Sequence, residues 1–406
     1  MNSIPIDISF EIFSRLCAKS IARCRCVSKL WDSMLQRPDF KELFLTRSSF
    51  RPRLLFALGG FGERDEFLFF SSPHHQIPSE KSSPEISADF QMKLPGKMSP
   101  DMWSYASGLM YFPNMWNAKK GEDRVNVICN PSTGLCVDLP QLDLPQLRTD
   151  SHSRSFLGFD PIDKQFKVLF MAYPSRVLTL GPGKMSWREI KCSLTHSISR
   201  GRGICINGVL YYLAVRDDNR SYVIVCFDVR SEKFKFVDGK EFVWWHQLVN
   251  YKGKLGVINK HWRWDDNSIV GSTINLSMWI LNDLEKQEWS EHAYTMRGGE
   301  IRFDSDVGVT VNGEIVLLSP HHYRGRFCVF FFNPETHTLQ SVGFRGQHEA
   351  LANPRDRTVY AFVNHEEDLE FNFMKTTYAA TSVNPQLRTR FESINKFDAL
   401  CLSDDD

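Results

Sequence analysis

Twelve histidines and ten cysteines are the residues of this chain best suited to hold a metal or attack a substrate, and neither set is spaced for it. His74–His75 and His321–His322 are adjacent pairs, and neighbours on a strand point to opposite faces. No HxxxH or CxxC stands close to either pair, so they read as solvated loop histidines, with no metal site and no cofactor expected. The cysteines (17, 24, 26, 129, 136, 192, 205, 226, 328 and 401) are irregularly spaced and mostly follow apolar residues, as in VNVIC129 and VIVC226. Buried free thiols in a reducing compartment are expected, with disulfides as the alternative.

Other chemistry is equally unsupported. No GxSxG elbow occurs that would expose a nucleophilic serine. GRGICING (201–208) runs into a strand pattern, so it lacks the helix N-terminus that cradles phosphate, and turn glycines explain it. Asp217–Asp218, Asp265–Asp266 and Glu366–Glu367 sit in polar connections and read as solvated loop charge. No catalytic residue is therefore expected, although fold alone excludes no chemistry. The richest candidate for recognition is WWHQLVNYKGKLGVINKHWRWDDNS (244–268), with Trp244, Trp245, Trp262 and Trp264 around Arg263. Trp and Arg anchor protein interfaces. Trp262, Arg263 and Trp264 are the candidate target-binding residues, and packing of alternate tryptophans between sheets is the competing reading.

These residues sit in a chain of 406 residues, 42% hydrophobic, 24% charged and 13% aromatic, with a formal charge of +1. That size favours a small unit plus a larger one. Near-neutrality gives no electrostatic reason to expect nucleic acid or an anionic membrane. No run of about 18 apolar residues occurs to span a bilayer, and MNSIPIDISFEIFSRL lacks the basic start of a secretory signal. The 31 Phe and 10 Trp favour sheets in the larger unit.

The first fifty residues are helical in pattern. Ile8, Ile12 and Leu16 recur at i, i+4 and i+8 with Phe13 beside them, after Pro5 and Asp7 at a helix entrance. Ile21, Cys24, Val27 and Leu30 form a second run. Ser28 can cap a third helix carrying Trp31, Met34 and Leu35, and RPDFKELF (37–44) adds another turn or two. About 45 residues make too small a core to stand alone, so the bundle leans on the next domain or on a partner.

The run IPIDISFEIFSRLCAKSIARCRCVSKLWDSMLQRPDF resembles the F-box of plant-type F-box proteins. It keeps Pro5, Asp7, Glu11, Ile12, Arg15, Leu16, Lys19, Ser20, Arg23, Arg25, Val27, Ser28, Lys29 and Trp31 of that pattern. The resemblance implies docking on a Skp adaptor and, through it, a cullin. Ile4, Pro5, Ile8, Ile12, Leu16, Val27, Leu30 and Trp31 would form the adaptor-facing and interhelical apolar surface. Two departures are expected to weaken docking without abolishing it. Cys17 replaces a proline that would fix the turn, and Ser9 replaces an apolar residue worth about 1–2 kcal/mol if buried.

Beyond residue 49 the chain repeats. VNVICNPSTGLCVDL, RVLTLGPGKMSWREI, VIVCFDVRSEKFKFV, MWILNDLEKQEWSEH and VFFFNPETHTLQSV each read strand–turn–strand. Their turns begin at Asn130, Gly181, Asp228, Asp283 and Asn333, spaced 51, 47, 55 and 50 apart. Glycine-led strands at 108, 208, 253 and 313 precede four of them, and FDPIDKQFKVLF (159–170) supplies a hairpin in the remaining unit. Four-stranded units at this period stack as a β-propeller. TVYAF (358–362) looks like the start of a sixth blade completed by RLLFAL (53–58) and EFLFF (66–70), so six blades are expected, five and seven being compatible. Residues 71–100, rich in Ser and Pro, read as a loop. GFDPIDKQFKVL, CINGVLYYLA and VCFDVRSEKFKFV resemble the F-box-associated domain, which implies a propeller-like substrate-binding domain.

The expected organisation is a small all-α module over 1–48, an all-β propeller over 49–399 and an acidic tail over 400–406. The resemblance implies a non-catalytic substrate-recognition subunit of a Skp–cullin–F-box ubiquitin ligase, in cytoplasm or nucleus, with an unknown protein target. The alternatives are an interaction protein outside any ligase, and a propeller lectin or enzyme with a helical cap.

Overall fold

In the computed structural model, residues 4–60, 66–73, 85–96, 102–116, 124–142, 154–181, 183, 185–199, 201–239, 246–263, 272–299, 307–318, 327–345 and 357–370 are described. Four helices come first: α1 (Ile6–Phe13), α2 (Ala18–Arg25), α3 (Lys29–Leu35) and α4 (Pro38–Ser49). Their starts follow local chemistry. Pro5 stands at the N-cap of α1 with Asp7 in its first turn, and the Ser28 hydroxyl accepts the Trp31 N–H to cap α3. Pro38 opens α4 at the position where a missing N–H costs nothing. That last helix runs twelve residues, longer than the turn or two read from RPDFKELF.

The strands then form six blades, four of four antiparallel strands and two, the fourth and sixth, with a fifth strand added. The first segment gives β1 (Arg53–Gly60), β2 (Glu66–Pro73), β3 (Glu85–Ser87) and β4 (Asp89–Pro95). Next come β5 (Ser104–Ala106), β6 (Leu109–Trp116), β7 (Arg124–Asn130) and β8 (Leu135–Leu139), then β9 (Arg154–Asp160), β10 (Gln165–Met171), β11 (Arg176–Leu180) and β12 (Trp187–Glu189). The fourth blade holds β13 (His196–Ile198), β14 (Ile204–Ile206), β15 (Val209–Arg216), β16 (Tyr222–Asp228) and β17 (Phe234–Asp238), with β13 and β14 sharing the innermost place beside β15. The fifth has β18 (Gln247–Tyr251), β19 (Lys254–Arg263), β20 (Ser272–Asp283) and β21 (Glu288–Gly299). The sixth has β22 (Val307–Val309), β23 (Ile315–Leu318), β24 (Phe327–Asn333) and β25 (Thr338–Arg345). The final strand, β26 (Arg357–His365), returns to pair with β1, giving the first blade the order β26-β1-β2-β4. The ring thus closes with a blade assembled from both ends of the domain, as the sequence implied.

Each blade is apolar on both faces because each face meets a neighbour. Six buried clusters lie between successive blades. In β1, Leu54, Phe56 and Leu58 meet the sixth blade, while Leu55 and Ala57 meet the second. The innermost strands β5, β9, β14, β18, β22 and β26 follow one another around the axis.

The turns recur with the same chemistry. Asn130, Asp228, Asp283 and Asn333 each accept a backbone N–H two or three residues on. The fourth residue after each has positive φ, as at Gly134, Glu232, Gln287 and His337. The third blade is the exception, carrying this device at Asp160 between β9 and β10.

Two expectations need correction. Within 71–100, β2 extends to Pro73, and β3 and β4 are strands, β3 lying parallel to β25 of the sixth blade. Ala88 and Phe90 face the sixth blade and Met92 and Leu94 the second, the face switching at a β-bulge between Phe90 and Met92, so no single period runs through the Ser/Pro-rich segment. The cysteines are not all free. Cys129 and Cys136 stand opposite each other across the β7–β8 hairpin and form a disulfide, because hairpin register joins positions that sequence spacing leaves unrelated. Of the described cysteines outside that disulfide, only Cys226 and Cys328 are buried. Cys401 and residues 400–406 lie outside the described residues.

Phe56, fully buried, packs edge-on to Phe344 at 4.7 Å across the junction of first and last blades. Phe56→Ala is expected to cost about 3–5 kcal/mol in chemical denaturation, through the cavity left there.

Candidate functional site

The helical module has a core of its own: Phe10, Phe13, Ala18, Ile21, Met34, Leu35, Phe40 and Phe44. The ring of Phe13 meets Trp31 at 4.9 Å, which brings α1 beside α3. Helix α1 is apolar on two sides. Phe10 and Phe13 turn inward, whereas Ile8 and Ile12 are each about half exposed, and Ile4 just before the helix is 63% exposed. At the α2–α3 corner, Val27 is 65% and Leu30 is 72% exposed. Of the eight positions expected at the adaptor-facing and interhelical surface, Leu16 and Trp31 are half-buried against the core, and Ile4, Pro5, Ile8, Ile12, Val27 and Leu30 are exposed.

Charge braces the module from outside. Glu11 takes Arg15 at 2.6 Å and also Arg47 of α4, and these hydrogen bonds hold its carboxyl below the usual range. Ser9 is half-buried, its hydroxyl returned to the Pro5 carbonyl. Cys17 has φ −77°, within the range that proline imposes, so the turn keeps its path. The missing proline acts on the unfolded chain, by about 0.4–1 kcal/mol.

The module sits at one end of the propeller. Lys164, in the β9–β10 turn, reaches Glu42 of α4 at 3.2 Å, and Lys19 of α2 donates to the Phe90 carbonyl at the start of β4. Because neighbouring strands run antiparallel, the described β5–β6, β14–β15, β18–β19, β22–β23, β7–β8, β16–β17, β20–β21 and β24–β25 turns open at that same end. The opposite end receives the outer ends of β19 and β20. These strands have 10 and 12 residues, against 8 and 7 for β15 and β16 of the preceding blade. Trp262 pairs with Ile274 and Arg263 with Thr273 on the last rungs, so both lie at the end away from the helices. Trp264, Trp244 and Trp245 lie outside the described residues. Lower on this blade, the Asn259 amide Nδ2 donates to His261 Nε2 at 2.7 Å. Burial pushes His246 down to about 4, with the nearby His261 adding to the shift.

His74, His75, His321, His322, Asp265 and Asp266 also lie outside the described residues. Among those described, no group of three or more His, Cys, Asp or Glu is placed to hold a metal, and no helix is long and apolar enough to cross a membrane. Asn207 and Gly208 of GRGICING form the tight turn between β14 and β15, both with positive φ.

The sequence misplaced Glu366–Glu367. Glu367 is only 6% exposed and Glu366 is half-buried, because they run between the propeller and the helices. Beside them His365, 1% exposed, bonds Tyr105 Oη and Ser132 Oγ, each at 3.2 Å. The Tyr105 oxygen already accepts the N–H groups of Gly108 and Glu366. Its own proton is therefore left for His365 Nδ1, and Nε2–H donates to Ser132. Nothing in the sequence pattern signals this cluster.

The class is thus a six-bladed β-propeller carrying a four-helix module that exposes apolar residues. The F-box domain family matches residues 1–43 and the F-box associated beta propeller domain family matches residues 53–366. The chain belongs to the F-box proteins with an F-box-associated propeller. It is 47% identical to the Arabidopsis thaliana F-box protein At3g57590, over 92% of each chain. It is 43% identical to F-box protein At2g16450 of the same plant, over 95% of this chain and 97% of that one. Among solved structures, a chain of the nidogen/laminin complex aligns with a TM-score of 0.43 at 10% identity, covering 77% of this chain and 98% of that one.

Burial, with Arg53 nearby, pushes His365 down to about 3. A depressed histidine contributes stability that is complete above its unfolded value near 6.5 and is lost as pH falls from there. Replacing it by Gln keeps a donor and an acceptor without titration. The stability gap between wild type and His365→Gln, measured by urea denaturation, is expected to narrow by roughly 2 kcal/mol from pH 6.5 to 5.

Proposed function

We propose that this chain is the substrate-recruiting subunit of a Skp–cullin-type ubiquitin ligase, acting in cytosol or nucleus and catalysing nothing itself. The observation that carries the reading is the outward apolar set Ile4, Ile8, Ile12, Val27 and Leu30, on helices whose own core is already filled by other residues. Apolar side chains left outside a complete core suit a protein partner, and these are the positions at which the F-box resemblance places the adaptor. The far end of the propeller, with Trp262 and Arg263 on its longest hairpin, suits the target. The rate gain is positional: a target held near a ubiquitin-charged conjugating enzyme reacts at raised effective concentration. A contact of about 1,600 Å² in total would hold the adaptor.

Titration of the full chain with purified Skp adaptor tests this. Micromolar or tighter binding is expected, with Ile8→Asp/Leu30→Asp weakening it at least tenfold, about 1.4 kcal/mol or more. Both positions are exposed, so the melting temperature of the double variant should stay near that of wild type. Absence of binding by the wild-type chain removes the ligase assignment. For the far end, Trp262→Ala/Arg263→Ala is expected to reduce recovery of ubiquitinated proteins co-purified from plant cells with the ligase inhibited, leaving adaptor binding unchanged. Equal recovery with and without the substitutions excludes that hairpin as the target contact.

A further inference from the structure

We propose that residues 365–370 form a strap that fixes the helical module and the propeller in one orientation. The strap leaves the innermost strand of the first blade at His365 and crosses onto the helices. On the propeller side, the Asn130 amide donates to the carbonyls of Asp368 and Glu370, at 3.0 and 3.3 Å, while its oxygen caps the β7–β8 turn. Gly108, with φ +82°, lets the strap pass closely: a Cβ there would stand 2.8 Å from the Glu366 carbonyl.

On the helical side, the Glu367 N–H donates to Ser48 Oγ at 2.6 Å, near the end of α4. The Glu367 carboxylate accepts the Ala18 N–H, the first of α2, at 3.3 Å. Cys17, the N-cap of that helix, offers no side-chain cap, so a residue 349 positions away satisfies one of its open donors. Leu369 packs against the helical core, and Glu370 pairs with Lys41 of α4 at 2.7 Å. One segment therefore grips α2, α4 and the helical core at one end and two turns of the second blade at the other. The other ties between the two bodies are the connector of residues 50–52, the Lys19 bond to the Phe90 carbonyl and the exposed Lys164–Glu42 pair, each a single polar contact or covalent link without apolar packing.

The mechanical claim stands without the ligase reading. Its consequence rests on that reading: the strap sets where a captured target stands relative to the adaptor.

The test uses the full chain, first alone and then titrated with purified Skp adaptor. Glu367→Ala/Leu369→Ala is compared with wild type by hydrogen exchange and small-angle scattering. The expected result is at least tenfold faster exchange at Ala18 and along residues 366–370, with a larger radius of gyration. Strand amides and adaptor affinity should stay within about twofold of wild type. Lys41→Met removes only the outer ion pair and keeps the fold, giving a smaller change of the same sign should the double variant unfold. Unchanged exchange and scattering in both variants overturns the proposal. Loss of all helical protection with loss of adaptor binding also overturns it, since the segment would then be part of the helical core. Adaptor titration of the wild-type chain is read separately, so failure of the ligase reading leaves this result distinct.

Discussion

The hydrogen-bonded return of β26 to β1 is the constraint on which the molecule depends. A four-stranded blade with two apolar faces cannot cover itself, and six of them stay covered only as a closed ring. Pairing across the closure runs from Arg53 opposite His365 to Gly60 opposite Arg357. It places Phe56 against Phe344 and Trp103 against Phe362, sealing the first blade to the sixth and to the second. Strand β3 lies on β25 and crosses the same boundary a second time. All six interblade cores rest on this one junction.

The helical module draws on the closure as well. Because β26 is the innermost strand of the first blade, its last residue emerges on the axis beneath the helices, and the chain meets them there. The contact is polar and tightly buried. Burial pushes Asp368 up to about 6 and raises Glu366 and Glu367, while His365 moves the other way. Carboxylates with raised values hold best at low pH, and the depressed histidine holds best above about 6.5, so the two sets oppose each other across the mildly acidic range.

The blade period was legible because turn chemistry is local. An Asn or Asp that folds back on its own backbone, followed by a residue tolerant of positive φ, recurs wherever the geometry recurs. The blade count followed from the unfinished strand at 358–362. Long-range placement was not legible. The bulge that turns Ala88 and Phe90 to one blade and Met92 and Leu94 to another breaks the period there, and the partnership of Cys129 with Cys136 needed the hairpin register. Glu366 and Glu367 look like surface charge until a fold brings Ser48 and Ala18 to them. The Ile8–Ile12 stripe announced an apolar face, but α1 has two such faces, and only packing of Phe10 and Phe13 decides which one turns inward. The long hairpin of the fifth blade showed as a 30-residue interval, while the contents of its tip gave no geometry.

A first blade drawn from both ends of a domain also fixes an order of events during synthesis. The helices leave the ribosome 349 residues before the glutamate that caps α2 from afar. At 5–20 residues per second that interval lasts roughly 20–70 s. Through that time a nascent chain presents its outward isoleucines with no finished propeller behind them. For that interval α2 lacks the distant carboxylate that caps it in the finished chain.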